Sequence, residues 1–376
     1  MADLICFSHL RWNFVYQRPQ HLMVRFARDR RVFFIEEPVF GAEHDFNEIS
    51  KDTFSNVHII VPHLSDDGNE ISMRQKQLLD ALLLTQNIQH YITWYYTPMA
   101  FLFSSHLQPQ LLVFDCMDEL SAFRFAPSSL KVAESRLLEK ADIVFTGGHS
   151  LYNAKKAKHN NIYSFPSSID KEHFYRAREN RYEPDDQKEL GHPRLGFYGV
   201  IDERFDIDLI EKTSAARPDW HFIFIGPVVK IDPLTLPQKP NIHYLGSKTY
   251  SDLPVYLSGW DICLIPFVLD ESTRFISPTK TPEYLAAGKP VISTAITDVT
   301  KPYGDLNLVY IVGSAEELIS AAQKEFSQND KTKWLEKVDD FLADLSWDKT
   351  YEDMVSLMNK TMEKNKTNLI NGENYV

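Results

Sequence analysis

Short, wholly apolar runs recur along this chain, separated by segments of helical periodicity, and this rhythm constrains the fold more than any other feature. In the first half the runs fall at residues 4–7, 32–35, 57–61, 91–95, 111–114, 143–146 and 162–165. Continuous apolar runs of this length predict strands buried on both faces, the habit of parallel sheets. Between them, 17–28, 72–84 and 129–140 read as amphipathic helices. From 171 to 193 the chain turns polar, with Arg176, Arg178, Glu179, Glu183, Asp185 and Asp186, and carries almost no apolar run. The rhythm then restarts at 195–198, 221–225, 242–245, 261–265, 290–293 and 308–311. The expected fold is therefore α/β, with two domains of one architecture, each an open parallel sheet. Their expected bounds are 1–175 and 193–347, joined by a linker over 176–192. A chain of 376 residues is also too long for one ordinary core. Two such domains on a hinge would enclose a cleft, the preferred setting for a small ligand.

The end of the chain reads differently. Trp334, Val338, Phe341, Leu342 and Leu345, then Met354, Leu357 and Met358, keep helical spacing. A break is expected near Trp347-Asp348, and 365–376 reads as a frayed tail. A formal charge of -12 argues against general nucleic-acid binding, which needs net or clustered positive charge. Arg25, Arg28, Arg30 and Arg31 lie close together; they read either as the solvated end of the first helix or as a patch for peripheral contact with a membrane. The odd set Cys6, Cys116 and Cys263 falls inside apolar runs, which suggests reduced thiols in a cytoplasmic protein. No charged leader with an apolar core precedes Asp3, and no run reaches the ~18 residues a membrane span requires.

One stretch carries chemistry. After the run 261–267 comes Ser277-Pro278-Thr279-Lys280-Thr281-Pro282-Glu283-Tyr284-Leu285-Ala286-Ala287-Gly288-Lys289-Pro290-Val291-Ile292, which reads as loop, short helix and strand. Loops leaving the carboxyl ends of parallel strands are where ligands bind. Thr281-Pro282 reads as a cap followed by the residue favoured at the first helical position, so Glu283 is expected in the first turn. A carboxylate there can accept two ribose hydroxyls, and Lys280 can meet a phosphate as a compact charge. The competing reading is an exposed ion pair three residues apart, worth only tenths of a kcal/mol.

This stretch resembles the nucleotide-sugar signature of glycosyltransferases with two facing Rossmann-like domains (the GT-B fold), above all the retaining family related to sucrose and mannosyl transferases. Phe275 stands eight residues before Glu283, where that family has its first glutamate. Since that glutamate contacts the transferred sugar, the departure leaves the sugar unspecified. The resemblance implies an interdomain cleft, a nucleoside-diphosphate sugar as donor substrate, no cofactor or metal, and a last helix, about 348–365, packing back on the first domain.

A second motif opens the second domain: strand 195–198, then Gly199-Val200-Ile201-Asp202-Glu203-Arg204-Phe205-Asp206. Gly199 at a strand end permits close approach of a ligand, and Arg204 can grip a diphosphate through two hydrogen bonds. In the resembled family this loop carries an Arg and a Lys for the diphosphate; here Arg204 is its only cation. A surface Arg204 paired with Glu203 or Asp206 is the alternative.

In the first domain, strand 4–7 runs into Ser8-His9-Leu10-Arg11-Trp12-Asn13-Phe14-Val15-Tyr16-Gln17-Arg18-Pro19-Gln20-His21. Rings, arginines and polar groups at a strand end suit stacking and hydrogen bonding to a sugar. The Gln-Arg-Pro-Gln-His run is similar to the opening of a subgroup of bacterial surface-polysaccharide glycosyltransferases. Arg18 and His21 are thus candidates for the acceptor side or reacting centre, and both read equally as structural residues of the first helix. Asp115-Cys116-Met117-Asp118 follows strand 111–114; its spacing is not that of a metal site, so Asp118 is an acceptor-side candidate beside a capping role. Gly147-Gly148-His149 follows strand 143–146, with His149 a candidate contact or a plain loop residue. Ser167-Ser168-Ile169-Asp170 stands where the family has Asn-Gly-Val-Asp.

The resulting expectation is transfer of a sugar, with retention, to a cell-surface polysaccharide, lipid-linked or other sugar acceptor. The candidates are Lys280, Glu283, Thr281, Gly199 and Arg204 for the donor, and Arg18, His21 and Asp118 for the acceptor side. The place expected is the cytoplasm, with contact at the inner face of the cell membrane left open. A nucleotide-sugar epimerase and a non-catalytic nucleotide-sugar-binding protein are the alternatives, and fold analogy alone does not separate them.

Overall fold

The computed structural model describes residues 1–66, 70–180 and 182–373, with side chains followed as far as residue 367. It divides into two compact units, Met1–Pro166 with the segment from Trp347 on, and Ser167–Ser346.

In the first unit every expected apolar run is a strand: β1 (Asp3–Phe7), β2 (Val32–Ile35), β5 (Val57–Ser65), β6 (Tyr91–Tyr95), β7 (Leu112–Cys116), β8 (Ile143–Thr146) and β9 (Ile162–Ser164). Two further strands, β3 (Val39–Ala42) and β4 (Phe46–Lys51), were not expected. They lie at the sheet's edge and are largely exposed, so they mix polar with apolar residues and show no continuous run. The order is β3-β5-β2-β1-β6-β7-β8-β9, with β4 antiparallel to β5. Because neighbouring residues on a strand point to opposite faces, Leu4 and Cys6 share one face with Val32, Phe34, Ile92 and Trp94. That face is covered by Leu22, Met23 and Phe26 of the helix Arg18–Phe26 and by Trp347, Met354 and Met358 of the helix Trp347–Glu373. The expected frayed tail 365–376 is corrected as far as Glu373, which ends that helix; residues 374–376 lie outside the described ones.

The second unit has six parallel strands: β10 (Arg194–Tyr198), β11 (His221–Ile225), β12 (Ile242–Tyr244), β13 (Ile262–Ile265), β14 (Val291–Thr294) and β15 (Tyr310–Val312). Their order, β12-β11-β10-β13-β14-β15, reverses direction between β10 and β13. Crossovers leave to opposite sides there, and the loops after these two strands part to form a crevice, the topological switch point of such sheets.

The linker expected over 176–192 is corrected in its first part. Residues Lys171–Glu179 form a helix capped by Asp170, which accepts from the His173 amide. Phe174 and Ala177 are buried in the core of the second unit, and Arg178 bonds Asp339 and the Ala286 carbonyl. Two apolar residues one turn apart are enough to dock a helix that its many charges disguise.

Gly196 shows how tightly this core is filled. A Cβ there would lie 2.1 Å from the Trp260 ring, which is pinned by its Nε1 donating to Gln187 at 2.8 Å. Gly196→Ala is expected to cost about 1–3 kcal/mol through overpacking. A shift of the urea midpoint at constant slope measures it; an unchanged midpoint would show that Trp260 has room to retreat.

Candidate functional site

The switch point of the second sheet gathers the expected donor residues. β10 and β13 run side by side, with Gly196 beside Cys263, so Gly199 and the loop after β13 open on the same edge. Gly199 has φ +134°, and a Cβ there would fall 2.3 Å from Lys280 Cε and 2.6 Å from Nζ. Only glycine both adopts that backbone and leaves the lysine its passage. Lys280 begins the helix Lys280–Ala286 and reaches across the carboxyl end of β10, its Nζ 5.4 Å from the Phe197 ring centroid and 5.9 Å from that of Phe267. No carboxylate among the described residues lies within 4.0 Å of Nζ, so the surface ion pair weighed for Lys280 and Glu283 is absent. Desolvation lowers the ammonium to about 8; the Glu283 carboxylate pulls the other way and Arg204 pushes further down.

Glu283 is 5 % exposed. One of its oxygens accepts from the Tyr198 hydroxyl, and the other has no hydrogen-bond partner among the described residues. Burial raises its carboxyl to about 7, while the Tyr198 bond and the Lys280 charge pull it back. Arg204 is held from below. Its Nε and Nη2 donate to the two oxygens of Asp202, at 3.0 and 2.7 Å, and Asp202 is itself buried. The partner is neither Glu203 nor Asp206; Asp206 caps the helix Ile207–Ala216 through the Leu209 amide.

The expected cap is corrected. The helix starts at Lys280, so Thr281 lies inside its first turn and Pro282 at the third position. Proline is tolerated throughout that turn because the amides there have no intrahelical partner. Thr281 is 1 % exposed and its Oγ1 has no hydrogen-bond partner among the described residues. Phe275 is partly exposed under the Arg274 guanidinium, 5.1 Å from its ring.

The first unit treats its candidates differently. Arg18 is 2 % exposed, with Nε and Nη2 on the two oxygens of Asp115 at 2.9 and 2.8 Å and Nη1 on the Phe165 carbonyl at 2.8 Å. All three nitrogens are used inside the fold, which corrects its expected place at the reacting centre. His21, 3 % exposed, stacks on Trp347 at 4.6 Å and meets Tyr16 edge-on. It too is an interior residue. Trp12 is buried, donating from Nε1 to Asp52, whereas Phe14 and Tyr16 are exposed. Asp118 is partly buried in the loop after β7, and His149 Nδ1 pairs with the Ser164 hydroxyl. The arginine cluster is spoken for: Arg25 and Arg28 bind Asp348, Arg30 binds Asp29 and Arg31 binds Asp3.

Sequence reasoning missed Tyr198, Asp202 and the rings of Phe197 and Phe267. Tyr198 closes an apolar strand and looked like core; Asp202 was legible only as a carboxylate two residues before Arg204. The three cysteines are free and buried. Among the described residues no group of His, Cys, Asp or Glu is arranged to hold a metal, and no helix is long and apolar enough to cross a membrane.

Residues 193–344 match the family model described as Glycosyl transferases group 1. The second unit is a group 1 glycosyltransferase domain. This glycosyltransferase is 26% identical over 272 residues to a Bacillus subtilis (strain 168) protein named "Putative teichuronic acid biosynthesis glycosyltransferase TuaH", a match covering 67% of this chain and 68% of that one. Among solved structures it resembles sucrose-phosphate synthase from Thermosynechococcus elongatus, at 14% identity and a TM-score of 0.64 over 100% of both chains. It also resembles Anabaena Alr3699/HepE in complex with UDP and glucose, at 13% identity and a TM-score of 0.68 over 96% of this chain and 100% of that one. At such identities the likeness is one of fold. The expected α/β architecture with two parallel sheets is the one they share.

Arg18→Met would leave the Asp115 carboxylate buried without its partner. A loss of about 3–5 kcal/mol is expected. Chemical denaturation measures it, and a stability within 1 kcal/mol of wild type would return Arg18 to the list of candidates for the chemistry.

Proposed function

We propose that this glycosyltransferase moves a sugar from a nucleoside diphosphate to the sugar acceptor of a cell-surface polysaccharide, free or lipid-linked, with retention of configuration. One observation carries the reading: Lys280 stands without a carboxylate partner in the space left by Gly199, with Arg204 nearby, at the switch point of a parallel sheet. Two cations in a partly desolvated crevice are what a departing diphosphate calls for, because negative charge grows on it in the transition state. The Gly199 backbone lets phosphate oxygens come close, the free Glu283 oxygen takes ribose hydroxyls, and the Thr281 hydroxyl donates to the same ligand. Asp118 is kept on the acceptor side, while Arg18 and His21 hold the shape of the first unit. Attack on an oxocarbenium-like centre from the face the diphosphate leaves needs no dedicated enzymic base. The side-chain cations supply the charge, and no metal or cofactor enters the proposal. A uridine nucleotide and a teichuronic acid acceptor are the first pair to assay, supported by the UDP and glucose of the Anabaena structure and the name of the Bacillus relative. Buried free thiols support a cytoplasmic setting.

A thermal-shift panel of UDP, GDP, CDP and ADP sugars tests the site. One nucleotide is expected to raise the midpoint by several degrees at saturating concentration. Lys280→Ala/Glu283→Ala should abolish that rise, and a rise that survives the double substitution removes these residues from the site. Anomeric NMR of the product, with and without added acceptor, separates transfer from epimerisation and from binding alone.

The lowered Lys280 fixes a pH dependence. Its ammonium is present below about pH 8 and lost above it, so nucleotide affinity should fall as pH climbs through that value. Lys280→Arg should flatten the fall, since a guanidinium stays charged. Calorimetric titrations between pH 6.5 and 9.5 decide; an affinity constant over that range would mean a fully hydrated ammonium.

A further inference from the structure

The loop between β7 and the helix Leu130–Lys140 is built as if to hold one point in place. Its base is clamped. Gly147 packs so closely on Met117 that a Cβ there would lie 2.2 Å from the Met117 carbonyl oxygen. Glu119 accepts from the Ser121 hydroxyl at 2.7 Å and from Lys155 at 2.7 Å. Lys155, only 2% exposed, also binds Glu134 and so ties the loop to two helices. Above this clamp the chain presents Phe125, 74% exposed, in the left-handed region at φ +70°. A bulky side chain is rarely found there, and such strain persists only where its surroundings impose it. Folding gains little from so exposed a ring.

Arg124 lies beside it, with its guanidinium 5.1 Å from the Phe125 ring centroid. Seven other arginines of this unit are each bonded to an Asp or Glu, while Arg136, on the helix Leu130–Lys140, shares with Arg124 the lack of such a partner among the described residues. Arg124 is exposed and has no carboxylate within 4.0 Å among the described residues. Of these two arginines, Arg124 is the one set against an exposed ring. The loop also leaves the carboxyl end of its strand, as does the loop after β1 that exposes Phe14 and Tyr16. β1 and β7 both flank β6, so the two strand ends are about 10 Å apart.

We propose that the loop 117–126 recognises the acceptor, the Phe125 ring stacking on a pyranose face and the Arg124 guanidinium gripping a carboxylate on that acceptor. This rests on the glycosyl-transfer reading above and adds the acceptor's chemical class, a uronic-acid-bearing saccharide. A planar fork matches a carboxylate bidentately, and one cation suffices for one negative charge. A ring beside a guanidinium would also suit an anionic lipid surface. Asp118 and Glu119 in the same loop and the acidity of the whole chain oppose that occupant.

The test measures binding of a glucuronic-acid-containing tetrasaccharide, its carboxyl-reduced neutral counterpart and a phosphate-bearing oligosaccharide to wild type, Arg124→Gln, Phe125→Ala and Phe125→Gly. The uronate should bind wild type and lose about tenfold or more in affinity with Arg124→Gln. The neutral sugar should bind more weakly and ignore that change. Phe125→Ala should weaken both sugars. Phe125→Gly should raise the thermal midpoint by relieving the left-handed strain while weakening the saccharide, a pairing that a merely structural ring would not give. Absence of uronate binding overturns the proposal, as does equal binding of the neutral or phosphate-bearing sugar. So does loss, in these variants, of co-sedimentation with phosphatidylglycerol vesicles in place of sugar binding. The nucleotide-sugar thermal shift is read on the same four proteins. A wild type without that shift fails the donor reading, whereas an intact shift with indifferent sugar binding fails only this loop.

Discussion

The second unit is organised around a cation that is denied a counter-ion. Lys280 lies over the rings of Phe197 and Phe267, and its shift from 10.5 to about 8 sets about 3 kcal/mol against the ammonium, less whatever solvent reaching Nζ restores. A side chain with four rotatable bonds would escape such a place if it could. Its stem passes through the space where Gly199 lacks a Cβ, and its backbone opens a helix whose buried face is fixed in the core by Tyr284 and Leu285. The nearest carboxylates are engaged elsewhere: Asp202 on Arg204, Glu283 on Tyr198. An arriving dianion would relieve the unfavourable charge and gain from the low dielectric at the same time, and this is how preorganised electrostatics differs from a surface charge.

The first unit supplies the contrast. Arg18 also stands near the carboxyl edge of a parallel sheet, yet it meets three acceptors and is sealed from solvent. Its guanidinium is buried with all three nitrogens engaged, whereas Arg204, although it too is paired with a carboxylate, stays partly exposed, so Arg18 has no edge left to offer a ligand. Residue type and position along a strand therefore did not separate the two cations. What separates them is whether the surrounding fold has supplied a partner.

The same distinction explains how much was legible beforehand. The strands were, because burial on both faces writes an unbroken apolar run; β3 and β4, wet on the outside, wrote none. Lys280 with Glu283, at a helix start, and Gly199 with Arg204, after a strand end, were each legible as local pairs, whereas the meeting of the two pairs depends on β10 and β13 being neighbours in the sheet. Arg18 and His21 were misplaced because their partners are remote: Asp115 lies 97 residues along the chain, and Trp347 arrives from its far end. Thr281 was misjudged by two positions since proline marks a helical first turn without fixing which residue of the turn it occupies. The helix Lys171–Glu179 was hidden by its charges, although Phe174 and Ala177 were enough to anchor it.

An acidic protein that binds an anionic donor looks paradoxical until distances are considered. At physiological ionic strength charges more than about 8 Å apart in water are largely screened, so the overall -12 acts weakly on a ligand already in the crevice. Within the crevice the apolar rings keep water away, and the interaction with Lys280 is screened far less. Net charge thus governs how the molecule meets nucleic acid or an anionic surface, while a cation that is both unpaired and desolvated governs what it can hold. What sets the switch point apart from a hydrated surface lysine is that its cation is desolvated as well as unpaired, so an anion arriving there would be stabilised in a lower dielectric.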